Sequence, residues 1–146
     1  TDIALQFVTI TLVGGVICQP LIGILLDRMN KRLLMNIAVF CTFVCPIIIG
    51  VFLGNFYLVA LSCFVWGGAA SGIFSISLTM LGERYTASQV AGATAILVMV
   101  FECGSLIGPL IGGRVMDIFG PFGFIYTIVF FTFIFLMISI YRTIRN

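Results

Sequence analysis

The sequence predicts an all-α, polytopic membrane protein whose five transmembrane helices form a single domain, residues 1–146. Of its residues, 62% are apolar and only 8% are charged, whereas soluble domains carry roughly 25% charged residues. The charges lie in clusters, and the uncharged stretches between them reach the about 20 residues that a helix needs to cross a bilayer. Long apolar runs, rather than alternating segments of about ten residues, favour helices over a membrane barrel.

The first three spans are separated by one charged loop and one tight turn. The first uncharged stretch covers residues 3–26. The second, residues 33–82, is too long for one crossing, so we expect a turn at Gly54–Asn55, where both residues tolerate a left-handed backbone. This turn divides the stretch into spans at about residues 33–53 and 56–81.

Two further spans complete the predicted fold. One covers about residues 88–113 and is interrupted by a single acid, Glu102. The other covers about residues 122–141 and follows the turn-forming segment 120–123, Gly-Pro-Phe-Gly.

The basic residues predict the orientation, because short cytoplasmic loops hold Lys and Arg. Placing loop 27–32 in the cytoplasm puts six of the seven basic residues on that side, with Arg114 as the exception. The C-terminus is then cytoplasmic and the N-terminus of the chain is outside. We expect a multi-pass protein of the plasma or inner membrane.

Composition excludes several function classes. A net charge of +2 without a basic stripe does not suit a nucleic-acid partner. The chain has no histidine, and its five cysteines lie in apolar stretches, so we predict no metal site, no cofactor and no catalytic residues. The chain starts at Thr1 without signal-peptide features. A fragment of a longer protein and a complete short protein both stay open.

Polar residues are unevenly distributed among the spans, and polar side chains within a membrane usually face the bundle or a wet cavity. Spans one, three and four carry most of them, so we expect these spans to line an interior surface and spans two and five to face lipid. A serine that bonds back to its own helix is the alternative for any one residue. The candidate cavity residues are Gln19, Ser71, Ser75, Glu102 and Ser105.

Glu102 lies near the middle of the fourth span, where a carboxylate costs about 2.5 to 3.5 kcal/mol. It is either a proton-coupling or cation-binding group, or a neutral acid that hydrogen-bonds to a neighbouring helix. Nearby, Gly104, Gly108 and Gly112 recur every four residues, which predicts a helix-packing face. Pro109 removes a backbone hydrogen bond there and is expected to bend or loosen the helix.

The loop after the first span resembles a known family signature. Residues 23–32, Gly-Ile-Leu-Leu-Asp-Arg-Met-Asn-Lys-Arg, resemble the G-x-L-x-D-R-x-G-R-[RK] signature of the major facilitator superfamily. Asn30 replaces the usual glycine but also tolerates a left-handed turn. The resemblance implies a cytoplasmic gate, whereas a basic loop that only sets topology is the alternative. The gate candidates are Gly23, Asp27, Arg28, Lys31 and Arg32.

Residues 81–85, 104–113 and 116–121 resemble helices ten to twelve of the same superfamily. The stretch 104–113 also resembles the fifth helix of drug/proton antiporters, but the third span lacks their arginine and the chain ends after the fifth span. The resemblance therefore implies helices eight to twelve of the C-terminal six-helix half, with the first seven helices missing.

The implied function is part of a secondary active transporter that moves a small solute by alternating access, with proton coupling as one option. Its partners would be an unidentified small-molecule substrate, membrane lipid and the missing N-terminal helices. The alternative is a non-transporting membrane protein that packs beside a partner through its glycine-rich helix.

Overall fold

The computed structural model describes residues 2–145, which form α-helices joined by short turns. The helices are α1 (Asp2–Arg28), α2 (Lys31–Val51), α3 (Phe56–Arg84), α4 (Ala87–Phe119) and α5 (Gly123–Arg145). A 3-10 turn, Gly120–Phe122, joins α4 to α5. By length and hydropathy, each of the helices α1, α2 and α3 could cross a membrane. The range Ala87–Arg145, which contains α4, the 3-10 turn and α5, counts as one further helical segment. The described residues thus contain four helical segments able to span a bilayer.

Asn30 and Asn55 begin α2 and α3 as N-cap residues. Oδ1 of Asn30 accepts a hydrogen bond from the Arg32 amide at 2.9 Å, and Oδ1 of Asn55 accepts one from the Leu58 amide at 3.3 Å. The expected left-handed backbone at Asn30 and at Gly54–Asn55 is wrong, because only Gly120 among the described residues has a positive φ, of 72°. Both asparagines are extended, which directs their oxygens to the free amides of the first helical turn.

The centre of the bundle is α3, which packs along both α1 and α2. The most deeply buried large side chains lie on α2 and α3: Val39 and Ile76 are 0% exposed and Val59 is 2% exposed. Towards the charged ends of α1, α2 and α3, Ile76 packs with Leu34 and Ala38 in the main apolar cluster. This arrangement makes α3 the element on which α1 and α2 are both positioned.

Two glycines let α1 and α3 cross with their backbones in contact. A Cβ added at Gly14 would overlap the Phe64 carbonyl, and one added at Gly67 would overlap the Thr11 carbonyl. Helices in lipid associate through such close backbone approach, since burial of apolar surface gives them no advantage over lipid. We call this contact, formed by Gly14 and Gly67, the glycine seam.

The helix α5 attaches to the bundle through polar contacts with α2. The Ser139 hydroxyl donates to Oδ1 of Asn36 at 2.5 Å, and Nδ2 of Asn36 donates to the Thr143 hydroxyl at 3.1 Å. On its other side α5 packs on α4, where a Cβ at Gly123 would lie 2.5 Å from the Val115 carbonyl oxygen. In contrast, α4 has few contacts with α3. It is therefore held mainly by α5.

Candidate functional groove and charged loop

A groove of about 730 Å³ lies between α1 and α3. It is centred on the middle of both helices, because its lining residues include Gly15 and Ala70, the middle residues of α1 and α3. The remaining groove residues used below are Thr11, Gln19, Pro20, Trp66 and Ser71. Gly67 of the glycine seam also lines it.

The hydroxyl groups that line the groove form hydrogen bonds with backbone carbonyl oxygens. The Ser71 hydroxyl is within hydrogen-bond distance of the Gly15 carbonyl on α1, at 3.1 Å, and the Thr11 hydroxyl donates to the Phe7 carbonyl at 2.8 Å. The side-chain amide of Gln19 has no hydrogen-bond partner within residues 2–145. The Gln19 amide and the Trp66 indole N–H are therefore the side-chain polar groups of this groove that form no hydrogen bond within the described residues.

The structure brings some of the sequence-predicted cavity residues together and separates others. Gln19 and Ser71 both line the groove. Ser75 lies one turn further along α3 and donates to the Ser71 carbonyl at 3.4 Å. Glu102 and Ser105 lie on an exposed face of α4, and Ser105 donates to the Phe101 carbonyl of its own helix at 3.1 Å. A shared cavity role for these residues stays a prediction.

Glu102 is exposed near the middle of α4 and has no hydrogen-bond partner among residues 2–145. Its neighbour Phe101 contacts Phe74 of α3, with ring centroids 5.1 Å apart. Since residues four apart share a helix face, Phe74 lies on the same stripe of α3 as Ala70 and Trp66. Phe74 does not itself line the groove, but through it α3 contacts α4 at the residue beside Glu102.

The predicted gate loop is partly helical. Asp27 and Arg28 belong to the last turn of α1, and both are exposed. Lys31 forms an ion pair with Glu83 at the end of α3, with 2.5 Å between Nζ and Oε1. It is the only ion pair found in the described part of the chain, apart from any contact of Arg142.

Arg32 is exposed at the start of α2, and a Cβ at Gly23 would meet nothing within 4 Å. Glu83 was not predicted from the sequence as the partner of Lys31. The distribution of basic residues provided a signal, because it predicted that the start of α2 and the end of α3 lie on the same side of the membrane.

The glycine-rich stretch of α4 is only partly packed. A Cβ at Gly104 or Gly108 would meet nothing within 4 Å in residues 2–145, whereas one at Gly112 would lie 2.9 Å from the Phe124 ring. The helix continues through Pro109. The closest helix crossing is instead the glycine seam, which sequence analysis missed. The available signal was the spacing of small residues four positions apart in α3, Gly67 with Ser71 and Gly68 with Gly72.

Apolar helices of membrane-spanning length, a groove at mid-helix and a charged loop at one end are the features of a multi-pass membrane transport protein. Residues 1–145 match the family model of the Major Facilitator Superfamily. The chain belongs to this superfamily, whose members are transporters and not enzymes.

Two relatives carry the same family description. The chain is 30% identical over 104 residues to the uncharacterized MFS-type transporter YE1530 of Yersinia enterocolitica, covering 71% of this chain and 26% of the relative. It is 25% identical over 116 residues to the uncharacterized MFS-type transporter YfkF of Bacillus subtilis, covering 80% and 29%. The chain thus spans little more than a quarter of the length of these relatives. No solved structure matches it significantly.

Proposed function

We propose that this chain is part of a secondary active transporter that moves a small solute across the membrane by alternating access. The observation that carries the proposal is the family match over residues 1–145. Transport in such proteins proceeds by rocking of two helical bundles around a site near the middle of the membrane. The groove at the middle of α1 and α3 is a site of that kind.

The chain is proposed to supply helices eight to twelve of the C-terminal half, so that α1 to α5 make five crossings. Two observations support counting α4 and α5 as separate crossings. A turn at Gly120–Phe122 lies between them, and α5 packs back on α4 through the contact of Gly123 with Val115. The partners would be the remaining helices of the same transporter and the surrounding lipid.

The proposed orientation places loop 27–32 and the C-terminus in the cytoplasm. The ion pair between Lys31 and Glu83 supports a common side for the start of α2 and the end of α3. In this arrangement the gate residues Asp27, Arg28, Lys31 and Arg32 close the cytoplasmic end of the transport path.

Gln19 and Ser71 are proposed as solute contacts, with Ser75 beside them, and Glu102 as the coupling carboxyl. Support for Glu102 comes from its position: a carboxylate midway along an apolar helix is costly in lipid, and residues 2–145 supply no hydrogen-bond partner for it. In the complete transporter, water or another helix must then cover this face.

Alternating access can be tested without knowing the solute. In the complete transporter with its native cysteines replaced by serine, Gln19→Cys should react with a membrane-impermeant maleimide from either side of the membrane. Ser77→Cys is the control, because the Ser77 hydroxyl donates to the Ile73 carbonyl and Ser77 does not line the groove. Reaction of Gln19→Cys from one side only, or from neither, would contradict the proposal.

A further inference from the structure

No charged side chain lines the groove. On α1 and α3, all acidic and basic residues lie near the helix ends. The nearest along α1 is Asp27, eight residues from Gln19, which corresponds to about 12 Å of helix. An ionised solute would therefore gain no counter-charge from either helix.

The hydrogen-bonding capacity of the groove is also small. The hydroxyl protons of Thr11 and Ser71 are directed to backbone carbonyls, so the Gln19 amide and the Trp66 indole N–H supply the free donors. A solute with one amide or similar group can form hydrogen bonds with the Gln19 side chain. A sugar would leave most of its hydroxyl groups unpaired, and each buried unpaired polar group weakens binding.

The rest of the groove surface suits an apolar ring. Trp66, the single tryptophan of the chain, is partly buried and lines the groove, as do the α1 residues Val16 and Pro20. An indole ring offers a large flat contact area and prefers offset or edge-to-face contact with other aromatic rings.

We infer that the groove between α1 and α3 selects an uncharged aromatic solute with one hydrogen-bonding group, which Gln19 binds while Trp66 contacts the ring. This inference rests on the proposed transport function and specifies its substrate class. On this inference, α1 and α3 give an organic anion no counter-charge and a sugar few hydrogen-bonding partners.

Two indole compounds that differ in charge provide the test. Tritiated indole-3-acetamide, which is neutral, and indole-3-acetate, which is an anion, would be bound to the complete transporter in nanodiscs, with glucose as a competitor. We expect saturable binding of the amide, at least tenfold weaker binding of the acetate and no competition by glucose. Absence of amide binding, equal binding of the acetate, or competition by glucose would overturn the inference.

Substitutions of groove residues test whether indole-3-acetamide binds in the groove. Gln19→Leu and Trp66→Ala should each weaken amide binding about tenfold or more, whereas Trp66→Phe should keep most of it and Ser77→Ala should not change it. Wild-type binding by both Gln19→Leu and Trp66→Ala would also overturn the inference. If Gln19→Cys reacts from both sides but the amide is not preferred, the substrate class is wrong and the transport proposal stands.

Discussion

The Ser71 hydroxyl on α3 and the backbone carbonyl of Gly15 on α1 are 3.1 Å apart and joined by a hydrogen bond. The same hydroxyl lies 3.0 Å from the Gly68 carbonyl of its own helix. Such a short side chain reaches the neighbouring backbone because the glycine seam brings the two helices into contact. The groove is therefore built on the seam, and a change at the seam should displace Gln19 relative to Trp66.

Gly67→Ala should destabilise the complete transporter, because the new Cβ would overlap the Thr11 carbonyl and backbone atoms cannot move aside as a side chain can. Overpacking of this kind costs about 1 to 3 kcal/mol. Thermal denaturation in detergent measures the effect.

Gly92→Ala is the matched control, because a Cβ there meets nothing within 4 Å and alanine favours a helix over glycine by about 0.5 to 1 kcal/mol. Its Tm should stay unchanged or rise slightly. Equal losses of Tm in the two variants would contradict close packing at Gly67.

The ion pair between Lys31 and Glu83 should contribute little to stability. The two side chains are 28% and 59% exposed, and solvent-exposed ion pairs are worth about 0 to 1 kcal/mol. A double-mutant cycle of Lys31→Ala and Glu83→Ala should give a coupling energy in this range that falls as salt is added. A larger coupling that does not respond to salt would show that the pair is buried in the complete protein.

Asn30 should stabilise the start of α2 through its side chain rather than through a special backbone conformation. Asn30→Ala should cost about 0.5 to 2 kcal/mol and Asn30→Gly only a few tenths, with Asn30→Asp close to wild type. Hydrogen exchange of residues 31–33 reports the first turn directly, since the Arg32 amide donates to Asn30. If Asn30→Gly were more stable than wild type, the cap would not be important.

Glu102→Gln should abolish or reduce proton coupling, because the amide has the shape of the acid but cannot release a proton. Solute uptake at several pH values measures this, and Glu102→Asp should keep part of the pH dependence. Asp117→Asn, an exposed acid near the end of α4, is the control. Unchanged uptake and pH dependence in Glu102→Gln would leave Glu102 as a structural residue.

Labelling at two turns tests the orientation. In a cysteine-free background, Lys31→Cys should react with an impermeant maleimide from the cytoplasmic side only. Gly54→Cys, in the exposed turn between α2 and α3, should react from the outside only. The opposite pattern would reverse the proposed topology.

The sequence by itself determined that the protein is all-α, rich in apolar helices of membrane-spanning length, and similar to the major facilitator superfamily. These properties depend on local composition and on short motifs, such as residues 23–32, which act through neighbouring positions along the chain. The conformation of Asn30 and Asn55 was predicted wrongly, because a residue that tolerates a left-handed turn can equally cap a helix from an extended backbone.

Only the tertiary structure decided which helix faces meet. It paired Gly14 with Phe64 and Lys31 with Glu83, and it brought Gln19 and Trp66 to one groove. The partners in these contacts are about 50 residues apart in the sequence, and the helices are apolar around most of their circumference. Since lipid tails and helix neighbours are equally apolar, hydrophobic periodicity does not distinguish a lipid-facing surface from a packed one, and the steric fit of small residues decides between them.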